Sequence, residues 1–223
     1  MIEAVIFDHD GTLVDSEGKH FELWREVLLP FGIDFGEDEY KTEHSGIPTL
    51  ENAQVLVDKY RMPISVNELF KLKESNVEKY LLNNAFELIP GVIACMRQFA
   101  QAGLKMAIAT GARKAEIKSS LSVHGFDKYI AFAATSEDAQ HSKPAPDVYK
   151  LAAEKIGVAC EKCIAIEDSA TGLKSARAAG MECIVVRNAW SISQNFDDAT
   201  AIVDTIKEAA ELVLKKAYIS KPG

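Results

Sequence analysis

Two carboxylates one residue apart are the first chemistry-bearing feature of the chain: Asp8-His9-Asp10-Gly11-Thr12 follows the apolar run Ala4-Val5-Ile6-Phe7. Like charges so placed repel, and the arrangement is costly unless a cation or a proton compensates it. A calcium loop also alternates carboxylates, but it requires glycine at its sixth position and glutamate at its twelfth. Counted from Asp8, those positions hold Leu13 and Lys19, which excludes that reading. Three later segments carry matching chemistry. Thr110-Gly111 offers a hydroxyl and backbone amides able to grip a phosphate oxygen. Lys143, set before Pro144-Ala145-Pro146-Asp147, can neutralise a phosphoryl group and a carboxylate nucleophile. Glu167-Asp168-Ser169 adds the oxygen donors of a hard-cation site, which suits Mg²⁺.

The elements around these segments predict how they meet. Short apolar runs at 4–7, 105–109, 130–134, 163–166 and 183–186, with a weaker one at 201–203, lack polar alternation, as expected of strands covered on both faces. Helical patterns at 91–102, 115–124, 147–156 and 171–179 lie between them, each followed by a glycine stop. Alternating strands and helices predict an α/β fold with a Rossmann-like parallel sheet. Ligands of such sheets bind beyond the carboxyl ends of the strands, where all four segments fall. The stretch from Ser16 to Phe86 has no strand pattern. Phe21, Trp24 and Leu28 share one helical face, Leu50, Ala53 and Val57 another, and Leu69, Leu72, Asn76 and Tyr80 a third. Ser65 with Glu68 makes a capping-box start. The expected organisation is an α/β core of residues 1–15 and 87–223 with an inserted helical domain at 16–86, ending in a loose tail at 220–223.

Bulk properties narrow the partners. A net charge of -8 argues against broad binding to nucleic acid or an anionic membrane. No apolar run approaches the roughly 20 residues of a membrane span, and Glu3, Asp8 and Asp10 interrupt any leader, so a cytoplasmic protein is expected. Cys160 and Cys163 have the spacing of a zinc or redox pair, but no second Cys or His pair accompanies them, and they read as packing residues.

The four segments together, in this order, resemble the signature motifs of the haloacid dehalogenase superfamily. The helical insert resembles its type 1 cap, and the residues 8–16, 143–147 and 166–169 resemble the β-phosphoglucomutase-like branch. The resemblance implies that Asp8 is a phosphate-accepting nucleophile and Asp10 the acid/base. Thr110 and Lys143 would hold the phosphoryl group. Mg²⁺ would sit on Asp8, the Asp10 carbonyl and Asp168, with Glu167 binding it directly or through water. His20, Trp24, Gly46, Thr49 and Lys73 fall where the family's cap residues face the site, so that His20 and Lys73, with Gly111 of the second motif, would contact substrate, and Arg113 and Lys114 just after that motif would add positive charge near the pocket. Ser16 is expected to start the first cap helix and His9 to take no catalytic part. Sugar phosphomutases of this branch generally carry a cap arginine after the Gly46 position, where this chain has Pro48-Thr49-Leu50-Glu51. The expectation is therefore a Mg²⁺-dependent phosphatase of a small phosphomonoester such as a sugar phosphate, acting as a monomer or weak dimer. A phosphomutase and a non-catalytic phosphate-binding module are the alternatives. Dehalogenase activity is disfavoured, because those relatives lack the second aspartate.

Overall fold

The computed structural model describes residues 1–219; the tail expected at 220–223 lies outside them. The chain runs β1 (Ala4–Phe7), β2 (Val14–Asp15), α1 (Glu17–Leu28), α2 (Glu37–Glu39), α3 (Thr49–Tyr60), α4 (Val66–Leu81), β3 (Glu87–Leu88), α5 (Val92–Gln101) and β4 (Lys105–Ala109). It continues with α6 (Lys114–His124), β5 (Phe132–Ala134), α7 (Asp147–Lys155), β6 (Cys163–Glu167), α8 (Ala170–Ala178), β7 (Glu182–Val186), β8 (Ala201–Val203) and α9 (Ile206–Ile219). Six strands form one parallel sheet in the order β5-β4-β1-β6-β7-β8, so the fold is an α/β Rossmann-like core carrying a helical insert.

Strand periodicity divides the core into two layers. Val5, Phe7, Ile108, Ile166 and Ile184 face α5, α6 and α9, while Ala4, Ile6, Ala107, Ala165 and Val185 face α7 and α8. All four residues of β1 are fully buried, which explains the absence of polar alternation in its sequence. Each large aliphatic or aromatic side chain buried this way contributes about 1.5–3 kcal/mol. The register then sets the height of the site. Phe7 pairs with Ile108 on one side and Ile166 on the other, so Asp8 stands level with Ala109 and Glu167 at the carboxyl ends of the three central strands.

The insert packs on Phe21, Trp24, Leu28, Leu56 and Leu69. The Ser65–Glu68 capping box is present. Two stripes differ from the sequence pattern. On α3 the inner face is Ala53 and Leu56, and Leu50 is 48% exposed. On α4 the buried positions are Leu69, Lys73, Glu74 and Val77, with Leu72 turned outward. The inner face of α4 lies over a polar interior, which hydrophobic periodicity cannot register. A two-stranded antiparallel ladder of β2 and β3 joins the start of the insert to its end. After α2 the backbone winds into π-type turns from Tyr40 to His44, closed by Ser45 N–H donating to the Tyr40 carbonyl at 2.9 Å.

Helix α9 was not anticipated. Its buried face is Ile206, Ala209, Ala210, Val213 and Ala217, and a face made mostly of alanine gives a faint periodic signal. All four cysteines are free, and among the described residues no metal-competent cluster includes one. No described helix is long and apolar enough to cross a membrane.

Candidate active site

Asp8 leaves β1 into a buried crown of charge. Lys143 Nζ donates to Asp8 Oδ1 at 2.5 Å and to Glu167 Oε1 at 2.6 Å, and all three groups are at least nine-tenths buried. Burial pushes the Asp8 carboxyl up to about 7 against the pull of Lys143, and the charges of Glu167 and Asp10 add to the rise. Burial opposes the charge on Lys143, but Asp8 and Glu167 outweigh it and hold the ammonium above the ordinary lysine range. Lys143 is thus an obligate cation facing the candidate nucleophile.

Glu167 has both oxygens occupied. Oε1 accepts from Lys143 and from Tyr149 on α7 at 2.7 Å; Oε2 accepts from the Asp168 and Ser169 amides and the Ser169 hydroxyl at 3.1–3.2 Å. A Cβ on Gly172 would fall 1.8 Å from Glu167 Oε1, so glycine in the first turns of α8 is what admits the carboxylate. This geometry makes Glu167 a strut for Lys143 and the β6–α8 turn, beside its place in the carboxylate cluster expected to hold the metal directly or through water.

Asp168 is 3% exposed and accepts from Asn188 Nδ2 at 2.8 Å. Burial, followed by Asp8 and Glu167, pushes it well above the carboxylate range, with Asn188 pulling the other way. Its carboxylate rests on Gly11, whose φ of 75° is left-handed. The ligand atoms of Asp8, Glu167 and Asp168 lie within 4.8 Å of one another. Three buried carboxylates around one buried ammonium leave negative charge that a dry interior penalises. An all-oxygen donor set in that condition fits a hard divalent cation.

Asp10 stands apart from this cluster. Ser16 Oγ donates to its Oδ1 at 2.6 Å, His20 Nε2 lies 3.6 Å from Oδ1, and His9 Nδ1 lies 3.3 Å from Oδ2. Burial raises the Asp10 pKa, but His9 and His20 outweigh it and hold the group well below the ordinary carboxylate range. Ser16 occupies the N-cap position of α1 without making the cap bond, because its hydroxyl is turned to Asp10. His9 is fully buried and reaches Ser120 Oγ on α6 at 2.8 Å, so it locks the loop to that helix.

Asp8, Asp10, Thr110, Gly111, Lys143 and Asp168 line one cavity of about 90 Å³, room for roughly three waters at about 30 Å³ each. The Thr110 hydroxyl accepts from Ala112 N–H at 2.9 Å, which leaves its own proton free to donate. The insert forms the opposite wall with His20, Trp24, Lys73 and the Gly46–Thr49 turn. Lys73, fully buried, approaches His20 Nδ1 at 3.1 Å, so the neutral ring carries its proton on Nε2, toward Asp10 and Glu116. Arg113 is not in the cavity lining. Its guanidinium joins Glu74 and Glu78 of α4 to Glu137 at 3.2–3.3 Å, a tie between insert and core. Lys114 likewise turns away, to Asp138.

Four groups at the site escaped the sequence reading. Tyr149 is hidden inside a helical pattern. Glu116 lies one turn into α6, and Glu17 pairs across the insert with Tyr40 at 2.7 Å. Asn188 alone had a usable signal, because it stands just past the carboxyl end of β7.

The haloacid dehalogenase-like hydrolase family model matches residues 5–186. The chain is 32% identical over 184 residues to the Escherichia coli fructose-1-phosphate phosphatase YqaB, covering 82% of this chain and 96% of that protein. A crystal structure of CbbY from Rhodobacter sphaeroides in complex with phosphate superposes with a TM-score of 0.78 at 26% identity, covering 92% and 95% of the two chains. The β-phosphoglucomutase of Clostridium difficile shares the fold with a TM-score of 0.84 at 23% identity over 99% and 100%. With the crown of carboxylates at the strand ends, these likenesses establish that the chain belongs to the haloacid dehalogenase-like hydrolase family, as a phosphoric monoester hydrolase with the fold of its β-phosphoglucomutase-like branch.

Proposed function

We propose that the enzyme hydrolyses a small phosphomonoester, a phosphorylated sugar or a close chemical relative, in two steps through an aspartyl-phosphate on Asp8. The observation that carries this reading is the convergence of Asp8, Lys143, Asp168 and Asp10 on one cavity, with Asp10 in a different hydrogen-bonding environment from the other two aspartates. An Asp8 oxygen attacks phosphorus, and the ester P–O bond breaks as Asp10 delivers a proton to the departing oxygen. Asp10 then takes a proton from water as that water attacks phosphorus and the Asp8 P–O bond breaks. Lys143 and the Thr110 hydroxyl hold the transferring oxygens throughout. Mg²⁺, held by Asp8 and Asp168, would supply the charge that lets an anionic nucleophile approach an anionic phosphate. Glu167 fixes the Lys143 ammonium from behind.

Residues 16–86 act in this proposal as the cap over a core of 1–15 and 87–223, with the β2–β3 ladder as the double crossing between them. The cap wall supports hydrolysis over mutase chemistry. Pro48-Thr49-Leu50-Glu51 offers no cation to a distal phosphate, and Lys73 is tied to His20. The similarity to YqaB, named for fructose-1-phosphate, supports a sugar-sized substrate. The test is Mg²⁺-dependent phosphate release across a metabolite panel, with Asp8→Asn and Asp10→Ala as controls. Full activity in Asp8→Asn refutes the mechanism, and isomerised sugar phosphate without phosphate release establishes a mutase instead.

A further inference from the structure

The π-type turn of the insert builds a second cluster of metal-competent side chains, which shares no residue with the catalytic aspartates. Glu39, Glu43 and His44 each bring a donor atom to within 4.8 Å of the others. A regular α-helix would set residue 44 about 140° around the axis from residue 39. The wider π winding from Tyr40 to His44 turns His44 back over Glu39, with Nε2 3.7 Å from Glu39 Oε1.

The protonation of His44 is fixed by its neighbour. Asn52 Nδ2 donates to the backbone carbonyls of His44 at 2.9 Å and Ile47 at 3.1 Å, so the Asn52 atom facing the ring is Oδ1, at 2.7 Å from Nδ1. An amide oxygen only accepts, hence the neutral ring carries its proton on Nδ1. Nε2 then presents a lone pair, and it is buried with no hydrogen-bond partner among the described groups, in a residue 1% exposed. A histidine whose Nδ1–H is held by a side-chain oxygen while Nε2 aims at two carboxylates has the arrangement of a metal ligand with its supporting bond.

Glu39 is held in its charged form. Burial raises Glu39, but the Tyr60 hydroxyl and Lys59 outweigh burial and keep it below the ordinary range. Lys59 Nζ spans the pair, 3.1 Å from Glu39 Oε1 and 2.6 Å from Glu43 Oε2. That ammonium marks where positive charge is favoured, and its side chain, 37% exposed, can swing into solvent.

We propose that Glu39, Glu43 and His44 form a binding site for a divalent transition metal of the Zn²⁺ type, separate from the catalytic cluster, with Lys59 as the competing cation. One imidazole nitrogen with two carboxylates suits zinc and leaves a fourth position for water, whereas Mg²⁺ and Ca²⁺ favour oxygen alone. Tetrahedral ligands about 2.1 Å from zinc stand roughly 3.4 Å apart. The donors therefore close by at most about 1.4 Å, within the reach of glutamate rotamers.

The experiment uses the full chain, chelator-treated and then saturated with Mg²⁺. Zn²⁺ binding is followed by calorimetry, and Co²⁺ binding by proton NMR. The expected result is one Zn²⁺ per chain responding to the surface variants: Glu43→Gln weakens it at least tenfold, and Lys59→Met tightens it about tenfold. Co²⁺ should shift one exchangeable imidazole N–H resonance, that of His44 Nδ1–H, which His44→Gln abolishes. Glu43 and Lys59 are exposed enough for both variants to fold, so the test does not depend on the buried histidine. Zn²⁺ taken up by the catalytic carboxylates would be indifferent to both variants. Binding unchanged in Glu43→Gln and Lys59→Met, or Co²⁺ binding without the imidazole signal, overturns the proposal.

Discussion

Gly11→Ala separates the fold from the metal chemistry more cleanly than any change to an aspartate. A Cβ on Gly11 would stand 2.0 Å from Asp168 Oδ2, 2.7 Å from Asp168 Cγ and 3.1 Å from Asn188 Nδ2. Ordinary contact needs at least about 3.0–3.4 Å, so the Asp168 carboxylate must retreat by roughly 1.0–1.4 Å, taking its Asn188 bond with it. The left-handed backbone at φ 75° adds about 1–2 kcal/mol for alanine over glycine. In a chain of this length that lowers Tm by roughly 2–8 °C. The activity cost is of another order: a reacting group misplaced by 1 Å loses about 100-fold. The expected variant is folded, with Mg²⁺ half-saturation raised at least tenfold and kcat/KM down by about 100-fold or more. Thermal unfolding and Mg²⁺-dependent phosphate release measure the two effects separately. Wild-type half-saturation by Mg²⁺ in a folded Gly11→Ala protein would refute the assignment of Asp168 as a metal ligand.

Three further outcomes follow from the same geometry. Asp8 and Asp168 hold protons in the folded chain above the pH at which the unfolded chain has released them, so more protons are bound folded than unfolded between about pH 4 and 7. Without divalent cations, urea stability should therefore fall as pH rises across that window, and the stabilisation by Mg²⁺ should be larger at pH 7.5 than at pH 5; a pH-independent Mg²⁺ effect contradicts this. Tyr149→Phe removes one donor from buried Glu167 and should cost about 1.5–3 kcal/mol in urea unfolding, with kcat/KM reduced less than tenfold while Lys143 keeps its two carboxylates. Ser16→Ala should lower kcat/KM about tenfold by freeing the Asp10 carboxylate, and cost in urea unfolding at most the one charged hydrogen bond, about 1.5–3 kcal/mol, because the Ser16 hydroxyl makes no helix cap.

The core was legible because its signals are local. β1, β4 and β8 begin and end where their apolar runs do, and the four predicted core helices stop within one residue of the expected position. The motif residues were equally legible, since a parallel sheet sends them to one edge whatever the rest of the chain does. Failures came where burial is polar. Periodicity read α4 through Leu69, Leu72, Asn76 and Tyr80, whereas Lys73 and Glu74 are the buried pair, held inside by His20 and Arg113 from other parts of the chain. Arg113 itself reads as pocket charge from its place after Thr110-Gly111. Only the tertiary structure brings Glu74, Glu78 and Glu137 around it. The π winding at Tyr40–His44 has no sequence signature, and with it the Glu39–His44 juxtaposition was invisible.

The two motif aspartates raise a question of order. With the protein's own charges alone, Asp8 is the one driven toward the protonated state and Asp10 the one held ionised. The proposed chemistry needs the reverse: an ionised nucleophile and an acid carrying a proton. Each inversion has a distinct physical cause. Asp8 shares its negative environment with Asp168 and Glu167, so a divalent cation at that cluster lowers its pKa by opposing charge. Asp10 is kept ionised by His9 and His20, and an arriving phosphate dianion is the charge that works against them. The nucleophile would thus be armed by cofactor and the acid by substrate. Before either binds, the proton favours Asp8 and Asp10 is ionised, the reverse of the reactive arrangement, which suppresses transfer until both have bound. On this reasoning His20→Asn, which removes one of the two imidazoles holding Asp10 ionised, should shift the alkaline limb of the kcat/KM profile, where the acid Asp10 loses its proton, to higher pH while leaving Mg²⁺ half-saturation unchanged. An unmoved alkaline limb would detach His20 from the protonation of Asp10.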